Sequence, residues 1–286
     1  MLIVTSRSLI RISKKSPSLS TISLGYCTII LLIIIEDLGS NFLMLRYSTM
    51  PIESRARYPF HEEGKLFWFS IVITALKFYG RFVLILIHAV NSLNRFCAVF
   101  FPLQYASVFT HARIVSLMSA VFVVCLPVFF IYSFQIGECS YYFHPIDIGY
   151  YYNDMNTCYD IHQFVEWFLF ATILSSSIFT DILISIFLFC RYKNGAIDAF
   201  KGIRDYGFVI QTFVLAVTNG AFTLYFYLFG YYTLEVPILD HMPKLNDLIL
   251  SFIYLVTIVL VNSVVRRDVM RTFSCNFKRV RAMNIN

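Results

Sequence analysis

A row of polar side chains runs along one face of a long apolar segment and ends at Asn94-Arg95-Phe96. The row, called the polar stripe below, consists of Lys77, Arg81, His88, Asn91 and Arg95. With the apolar Leu84 included, these positions are spaced alternately by four and three residues. At 3.6 residues per turn, these positions share one side of a helix. A charged side chain in hydrocarbon is costly, so such a residue is by default paired or functional. The stripe therefore predicts ion pairing and hydrogen bonding inside a membrane helix, with no covalent chemistry.

The composition excludes an ordinary soluble domain. Hydrophobic residues make up 58% of the 286-residue chain and charged residues only 14%, which is more apolar surface than a globular protein can bury. The net charge of +6 comes from basic residues that cluster beside the ends of the apolar spans. That distribution is typical of a membrane-topology signal. We expect a lipid bilayer as the surrounding medium and no nucleic-acid partner.

Apolar spans of about 20 residues, the length that crosses a bilayer, divide the chain. Six can be placed, at Ile22–Tyr47, Phe67–Phe101, Ile114–Phe134, Trp167–Cys190, Gly207–Tyr232 and Leu248–Val265. Glu36 and Asp37 interrupt the first of them. The chain thus reads as an all-α membrane protein with a bundle over 22–265, a basic stub over 1–21 and a basic tail over 266–286.

Loop charges predict the orientation of these spans. The segment Gln135–Glu166 contains five acidic residues and no Lys or Arg, whereas both termini and the loops after the second and fourth spans are basic. Because basic loops stay on the cytoplasmic side, we expect both termini inside and the Gln135–Glu166 loop outside.

The sequence shows no catalytic or metal-binding pattern. The seven cysteines form no CxxC pair, and HExxH is absent, which argues against a zinc site and a metalloprotease. An intramembrane enzyme would need paired acids or a histidine cluster, and only scattered residues such as His88 and Asp181 occur within the spans. We expect no metal, no cofactor and no enzymatic activity.

The run from Ser92 to Pro102, SLNRFCAVFFP, resembles the inner end of the third helix of rhodopsin-like G-protein-coupled receptors. More narrowly, it is similar to the nematode serpentine chemoreceptors of class x, the Srx family. The resemblance implies a seven-transmembrane receptor-type bundle in the plasma membrane of a sensory neuron or cilium, with a small-molecule ligand and a heterotrimeric G protein as partners. It begins near residue 20, so we expect the first helix to be truncated or missing.

The resemblance also assigns a G-protein switch to Asn94, Arg95, Phe96 and Pro102. In the superfamily the triplet is Asp/Glu-Arg-Tyr, so this chain has asparagine in place of the acid. Asn94 cannot form an acid–arginine pair, so we expect any restraint of Arg95 at rest to be weaker and an intact receptor to show raised basal activity. The alternative is that Arg95 is a basic anchor that extends to the head groups.

A ligand pocket is predicted from Lys77, Arg81, His88 and Asp181. Amine receptors carry their ligand-binding aspartate at the position of Lys77, so the cation there suits an acidic or carbonyl-bearing ligand. Lys77 extending to the bilayer surface is the alternative. The intramembrane acids Glu36 and Asp37 are expected at the depth of Arg81 and would pair with it, unless the first span is distorted and they lie in a loop or face water.

Two cysteine assignments remain, one implied by the resemblance and one by the composition of the tail. The superfamily cysteine that opens the third helix would lie near Ser70 and is absent, so the resemblance leaves Cys139 to pair with Cys158 across the tyrosine-rich outer loop. Such a bridge is worth roughly 3 kcal/mol in the chain-entropy model, and the loop serves either as a lid or as simple bracing. Cys275, in a basic amphipathic tail, is a candidate for palmitoylation or is an unmodified membrane-facing residue.

Two other classes of function compete with a signalling receptor. Intramembrane charges also mark the ion and substrate paths of transporters and channels. No internal repeat of the kind common in transporters is visible in the sequence. A truncated, non-functional receptor is the other alternative.

Overall fold

The computed structural model describes residues 5–6, 17–51, 65–139, 141–144, 149–152 and 157–193, together with isolated positions between 217 and 271. The fifth and sixth predicted spans, Gly207–Tyr232 and Leu248–Val265, lie outside the described residues apart from those isolated positions. Cys275 and most of the 1–21 segment lie outside them as well.

The described chain is built from helices joined by short connections, with one small hairpin. The elements are α1 Pro17–Ser48, α2 Lys65–Phe100, α3 Pro102–Val108, α4 His111–Ser133, a 3-10 turn Ile136–Glu138, β1 Tyr141–His144, β2 Gly149–Tyr152, α5 Thr157–Leu169, a π-turn Phe170–Leu174 and α6 Ser175–Lys193. Four segments are long and apolar enough to cross a membrane, at Thr21–Ser48, Leu66–Phe100, His111–Ser133 and Asp160–Phe187. The fold is therefore that of an all-α, multi-pass membrane protein.

The first two spans lie close to where the apolar runs predicted them. Helix α1 also decides between the two alternatives for Glu36 and Asp37. The helix continues through Glu36 and Asp37, whose side chains are both buried. The alternative that these acids lie in a loop or face water is wrong. Two adjacent acids did not break the helix because apolar residues surround them on both sides and only the helix satisfies the backbone there.

The fourth membrane-length segment begins at Asp160, seven residues before the predicted Trp167, and the helix that contains it begins ten residues before Trp167. Helix α5 starts at Thr157 rather than at Trp167, and Cys158 in its first turn is bonded to Cys139. The acidic residues of this segment led the sequence interpretation to assign it to a loop. Its exposed aromatic residues, Phe164 and Phe168, stack at helical spacing, which is the signal that would have extended the helix.

Local sequence explains the boundaries at the inner end of α2. Pro102 occupies the first turn of α3, where its missing N–H costs nothing. Thr110 caps α4 by accepting a hydrogen bond from the backbone N–H of Arg113. Pro127 lies inside α4 and does not end it.

Helix α2 is the central element, packed against α1, α4, α6 and the hairpin. The main core lies where the first three spans meet, and its fully buried members include Ile22, Tyr26 and Ile29 of α1, Val83 and Ile87 of α2, and Ile114 of α4. Thr5 in the preceding segment is also buried. Because α2 is enclosed by other helices, its polar stripe faces protein.

Gly39 allows α1 to approach α2 closely. A Cβ atom at this position would lie 2.3 Å from Cδ1 and 2.8 Å from Cγ1 of Ile73, whereas a Cβ at Gly80 of α2 would meet nothing within 4 Å. Ile73 is buried, and a β-branched side chain in a helix has little rotamer freedom with which to yield. Small residues at such contacts are the usual basis of helix packing in membranes.

We predict that Gly39→Ala lowers stability by about 1–3 kcal/mol, the range for overpacking a well-packed contact. The matched control Gly80→Ala should be neutral or stabilising, because alanine is the better helix former. Thermal unfolding of both variants in the same detergent measures the difference. Equal midpoints for the two variants would show that the close α1–α2 contact at Gly39 does not exist.

Candidate functional site

Arg95 lies near the inner end of α2 and forms an ion pair with Asp181 of α6, called the inner ion pair below. Nη1 of Arg95 donates to Oδ1 of Asp181 at 3.1 Å, and the side chains are 4% and 0% exposed. Neither charge could be buried here alone at acceptable cost. The pair therefore neutralises two buried charges and links two spans that are far apart in sequence.

The inner ion pair bears on two sequence-based expectations. Position 94 offers no acid, and α6 supplies the carboxylate that meets Arg95 instead. Asp181 was predicted for the ligand pocket and instead lies at the level of Arg95. The sequence held a signal for this, since Asp181 is the only charged residue in Trp167–Cys190, and a lone acid in an apolar span needs a cation at its own depth.

Two other residues of the predicted switch make contacts of their own at the same end of α2. The hydroxyl of Tyr105 in α3 donates to Oδ1 of Asn94 at 3.1 Å. The ring of Phe96 lies against Phe100, with centroids 4.7 Å apart. Asn94 thus connects α2 to α3 through a hydrogen bond that its neutral amide oxygen accepts.

A second buried polar contact lies one to two turns above Arg95. The hydroxyl of Tyr26 in α1 lies 3.2 Å from Nδ1 of His88, and Nδ2 of Asn91 donates to the same hydroxyl at 3.4 Å. All three side chains are buried. His88, predicted for the ligand pocket, is therefore part of the α1–α2 contact.

Of the four residues predicted for the pocket, Asp181 lies far from Lys77. Lys77 precedes Arg95 by eighteen residues, about 27 Å along a helix, and Asp181 is bound at the Arg95 end. Lys77 and Arg81 are half-buried in the outer half of α2, and Glu36 and Asp37 are buried in α1. Pairing of Arg81 with these acids stays a prediction.

At the outer end, Ser70 attaches the hairpin to α2. Its Oγ donates to the carbonyl oxygen of Phe143 at 2.9 Å and accepts from the N–H of Phe143 at 2.8 Å. Both residues are fully buried. Ser70 is also where the superfamily cysteine would lie, so two hydrogen bonds join helix and loop at that position.

Cys139 and Cys158 are joined by a disulfide, with Cα atoms 5.5 Å apart. The bridge connects the segment after α4 to the first turn of α5 and encloses the hairpin, in which Tyr141 pairs with Tyr152 and His144 with Gly149. The hairpin is thus held to α2 by Ser70 and to α5 by the disulfide.

Beside the disulfide lies an aromatic group, called the outer cluster, composed of Phe78, Tyr132, Tyr141 and His162. The Phe78 ring lies 4.6 Å from those of Tyr141 and His162 and 5.2 Å from that of Tyr132. The hydroxyl of Tyr132 is hydrogen-bonded to Nδ1 of His162. This cluster brings α2, α4, the hairpin and α5 together, and the sequence interpretation missed it because its members come from four separate segments.

Among the residues that the structure describes, no three His, Cys, Asp or Glu side chains cluster as metal ligands would.

We predict that Ser70→Ala weakens the outer end by about 1–3 kcal/mol, since it leaves a buried N–H and a buried carbonyl of Phe143 without their partner. The control is Ser107→Ala, because the exposed Ser107 hydroxyl donates to the backbone carbonyl of Gln104 in its own helix, away from the hairpin. Hydrogen exchange of the hairpin amides is the measurement. Unchanged protection of Phe143 in the Ser70→Ala variant would contradict the attachment.

The described residues form a receptor-type bundle of membrane helices. Its central helix is buried, with an ion pair at the inner end and a hairpin held by a disulfide and hydrogen bonds at the outer end. The model of the family described as "Serpentine type 7TM GPCR chemoreceptor Srx" matches residues 61–236, more than half of the chain. The chain belongs to this family. Comparisons with curated proteins and with solved structures gave no significant match.

Proposed function

We propose that this protein is a plasma-membrane chemosensory receptor that detects a small molecule and activates a heterotrimeric G protein. The observation that carries the proposal is the inner ion pair. It holds an arginine of the central helix against a different span, so that movement of the spans relative to each other changes the environment of Arg95. Membership in a family of 7TM chemoreceptors supports this function.

The inner surface beside Arg95 is suited to a protein partner. Helix α3 follows α2 directly, and its Leu103 is 94% exposed in a loop that the charge pattern predicts to be cytoplasmic. Tyr105 on the same short helix bonds Asn94, the neighbour of Arg95. A partner that binds α3 would therefore also act on the helix turn that carries Arg95.

The outer half of the bundle is where we place the ligand. Lys77 and Arg81 are half-buried there, and the acids Glu36 and Asp37 of α1 are buried. A cation at Lys77 favours ligands with a carboxylate or a carbonyl group. Binding would shift the population between arrangements of the spans by the difference in affinity for them.

The test is nucleotide exchange on a Gα subunit by the purified receptor in lipid nanodiscs, with a panel of small carboxylic acids and ketones as ligands. We predict that the double variant Arg95→Gln/Asp181→Asn abolishes exchange, because it removes the cation that the G protein engages. The double variant leaves no charge buried alone, so it should fold where the single Arg95→Gln variant, which leaves a lone carboxylate costing about 3–5 kcal/mol, need not.

Arg46→Gln is the matched control, since Arg46 is an exposed arginine in the last turn of α1, at the opposite end of the bundle. Exchange by the double variant equal to that of the wild type would contradict the role of Arg95. Solute flux through receptor-containing vesicles, without exchange, would instead support a transporter or channel.

A further inference from the structure

Helices α1 and α2 run antiparallel, and two glycines of α1 fix their register. A Cβ atom at Gly39 would lie 2.3 Å from Cδ1 of Ile73, and one at Gly25 would lie 3.3 Å from Cδ1 of Ile87. Gly39 follows Gly25 by fourteen residues, and Ile87 follows Ile73 by the same number, so the register is constant between the two contacts. Each residue of α1 can therefore be matched with the residue of α2 at its own depth.

This register places Glu36 at the depth of Lys77. Glu36 precedes Gly39 by three residues, so it lies opposite the third residue after Ile73, and Lys77 is the fourth. Lys77 lies only about 40° around α2 from Ile73 and therefore faces α1. Arg81 lies about 6 Å deeper along α2 and about 80° around it from Ile73. Of these two cations, Lys77 is the one level with Glu36.

Glu36 is also the acid of α1 that lies on the side of α2. Around the axis of α1 it is about 60° from Gly39, whereas Asp37 is about 160° away. The hydroxyl of Ser40, one turn further along α1, donates to the backbone carbonyl oxygens of Glu36 and Asp37 at 3.0 and 3.2 Å. The Ser40 proton is therefore bound to the backbone rather than to the carboxylate of Glu36.

The buried carboxylate of Glu36 needs a cation, and the spans contain few. Glu36 is 2% exposed, and a carboxylate in hydrocarbon without a cation is costly. Besides the arginine of the inner ion pair, the six apolar spans contain only three lysines and arginines, Lys77, Arg81 and Arg46. Arg46 is exposed in the last turn of α1. Depth and direction together favour Lys77 as the partner of Glu36.

We propose that Glu36 determines the ligand class of this receptor: its carboxylate binds the ammonium group of Lys77 in the empty site, and the ligand is a carboxylate that takes its place. This role rests on the proposed function and narrows its ligands to acids. A ketone carries no charge to replace that of the carboxylate, and a buried ammonium group without an anion is costly. The displaced Glu36 is left with Arg81, the next cation along α2.

The first test removes the carboxylate and supplies it again from solution. Glu36→Ala deletes a group of the size of acetate and should lower the thermal midpoint of the ligand-free receptor in nanodiscs, because Lys77 loses its anion. Added acetate should restore most of that loss, whereas acetamide, which is neutral and of similar size, should restore little. Asp37→Ala, the matched control, should gain less from acetate. Restoration by acetate that persists after Lys77→Met is added would overturn the contact.

A second set of variants covers a Glu36→Ala receptor that does not fold. Glu36→Gln should lower the thermal midpoint in the wild-type background, where it leaves Lys77 without its anion. In the Lys77→Met background the same change should raise the midpoint, because it neutralises a carboxylate that has lost its cation. Asp37→Asn should not raise the midpoint of Lys77→Met. An effect of Glu36→Gln with the same sign in both backgrounds would contradict the pairing.

The third test measures the choice of ligand by nucleotide exchange. Each acid of the panel is compared with the methyl ketone of the same alkyl chain, such as hexanoate with 2-heptanone. The acids should promote exchange by the wild type and their ketones should not. Glu36→Gln should lower the half-maximal concentration of the acids at least about tenfold, the advantage of a charge-assisted hydrogen bond, and should give a response to the ketones. Asp37→Asn should leave the wild-type selectivity unchanged.

The outcomes separate this role from the proposed function. A wild type that responds equally to acids and ketones, or a Glu36→Gln variant with unchanged half-maximal concentrations, would overturn the role of Glu36 in ligand choice. If no ligand of the panel promotes exchange, the proposed function fails. The thermal midpoints, which need neither ligand nor G protein, then still decide whether Glu36 binds Lys77.

Discussion

A charge buried among apolar helices must lie against an opposite charge, and in this protein that constraint is met by Arg95 and Asp181. The pairing determines that α6 lies beside α2 and fixes how deeply each is placed relative to the other. Ile184, one turn further along α6, then packs against Val99 and Phe100 of α2. The apolar contact at the inner end therefore depends on the polar one, because an acid without its cation would not stay buried at this position.

The outer end depends on a different kind of contact. Ser70 and the Cys139–Cys158 disulfide hold the hairpin to two spans, and the outer cluster fills the space between them. In a membrane, helices gain little from burying apolar side chains away from lipid that is equally apolar, so close packing and hydrogen bonds determine their arrangement. Gly39 against Ile73 and Tyr26 against His88 illustrate both contributions within the α1–α2 contact.

The sequence predicted the described spans well because a bilayer imposes an apolar run of fixed length, and Arg95 stood out because such runs exclude charge. The lone acid Asp181 marked one member of an ion pair within the membrane, but the sequence could not predict which cation it meets. Helical periodicity relates residues within one span, whereas the pairing with Asp181 depends on the neighbouring span. For the same reason His88 was predicted for a ligand pocket. Its contact with Tyr26 joins two helices, and periodicity within one helix cannot show such a contact.

The placement of the acid on α6 rather than next to Arg95 changes what the ion pair responds to. A carboxylate at position 94 would move with Arg95 as part of the same helix turn, and its contact would break only through side-chain rotation. Asp181 lies on another helix, so its contact breaks when α6 rotates or shifts against α2. Asn94 meanwhile keeps a neutral hydrogen bond to Tyr105 of α3. The turn that carries Arg95 is thus joined to an inner helix by a neutral contact and to another span by a charged one, and relative motion of α2 and α6 acts on the charged contact.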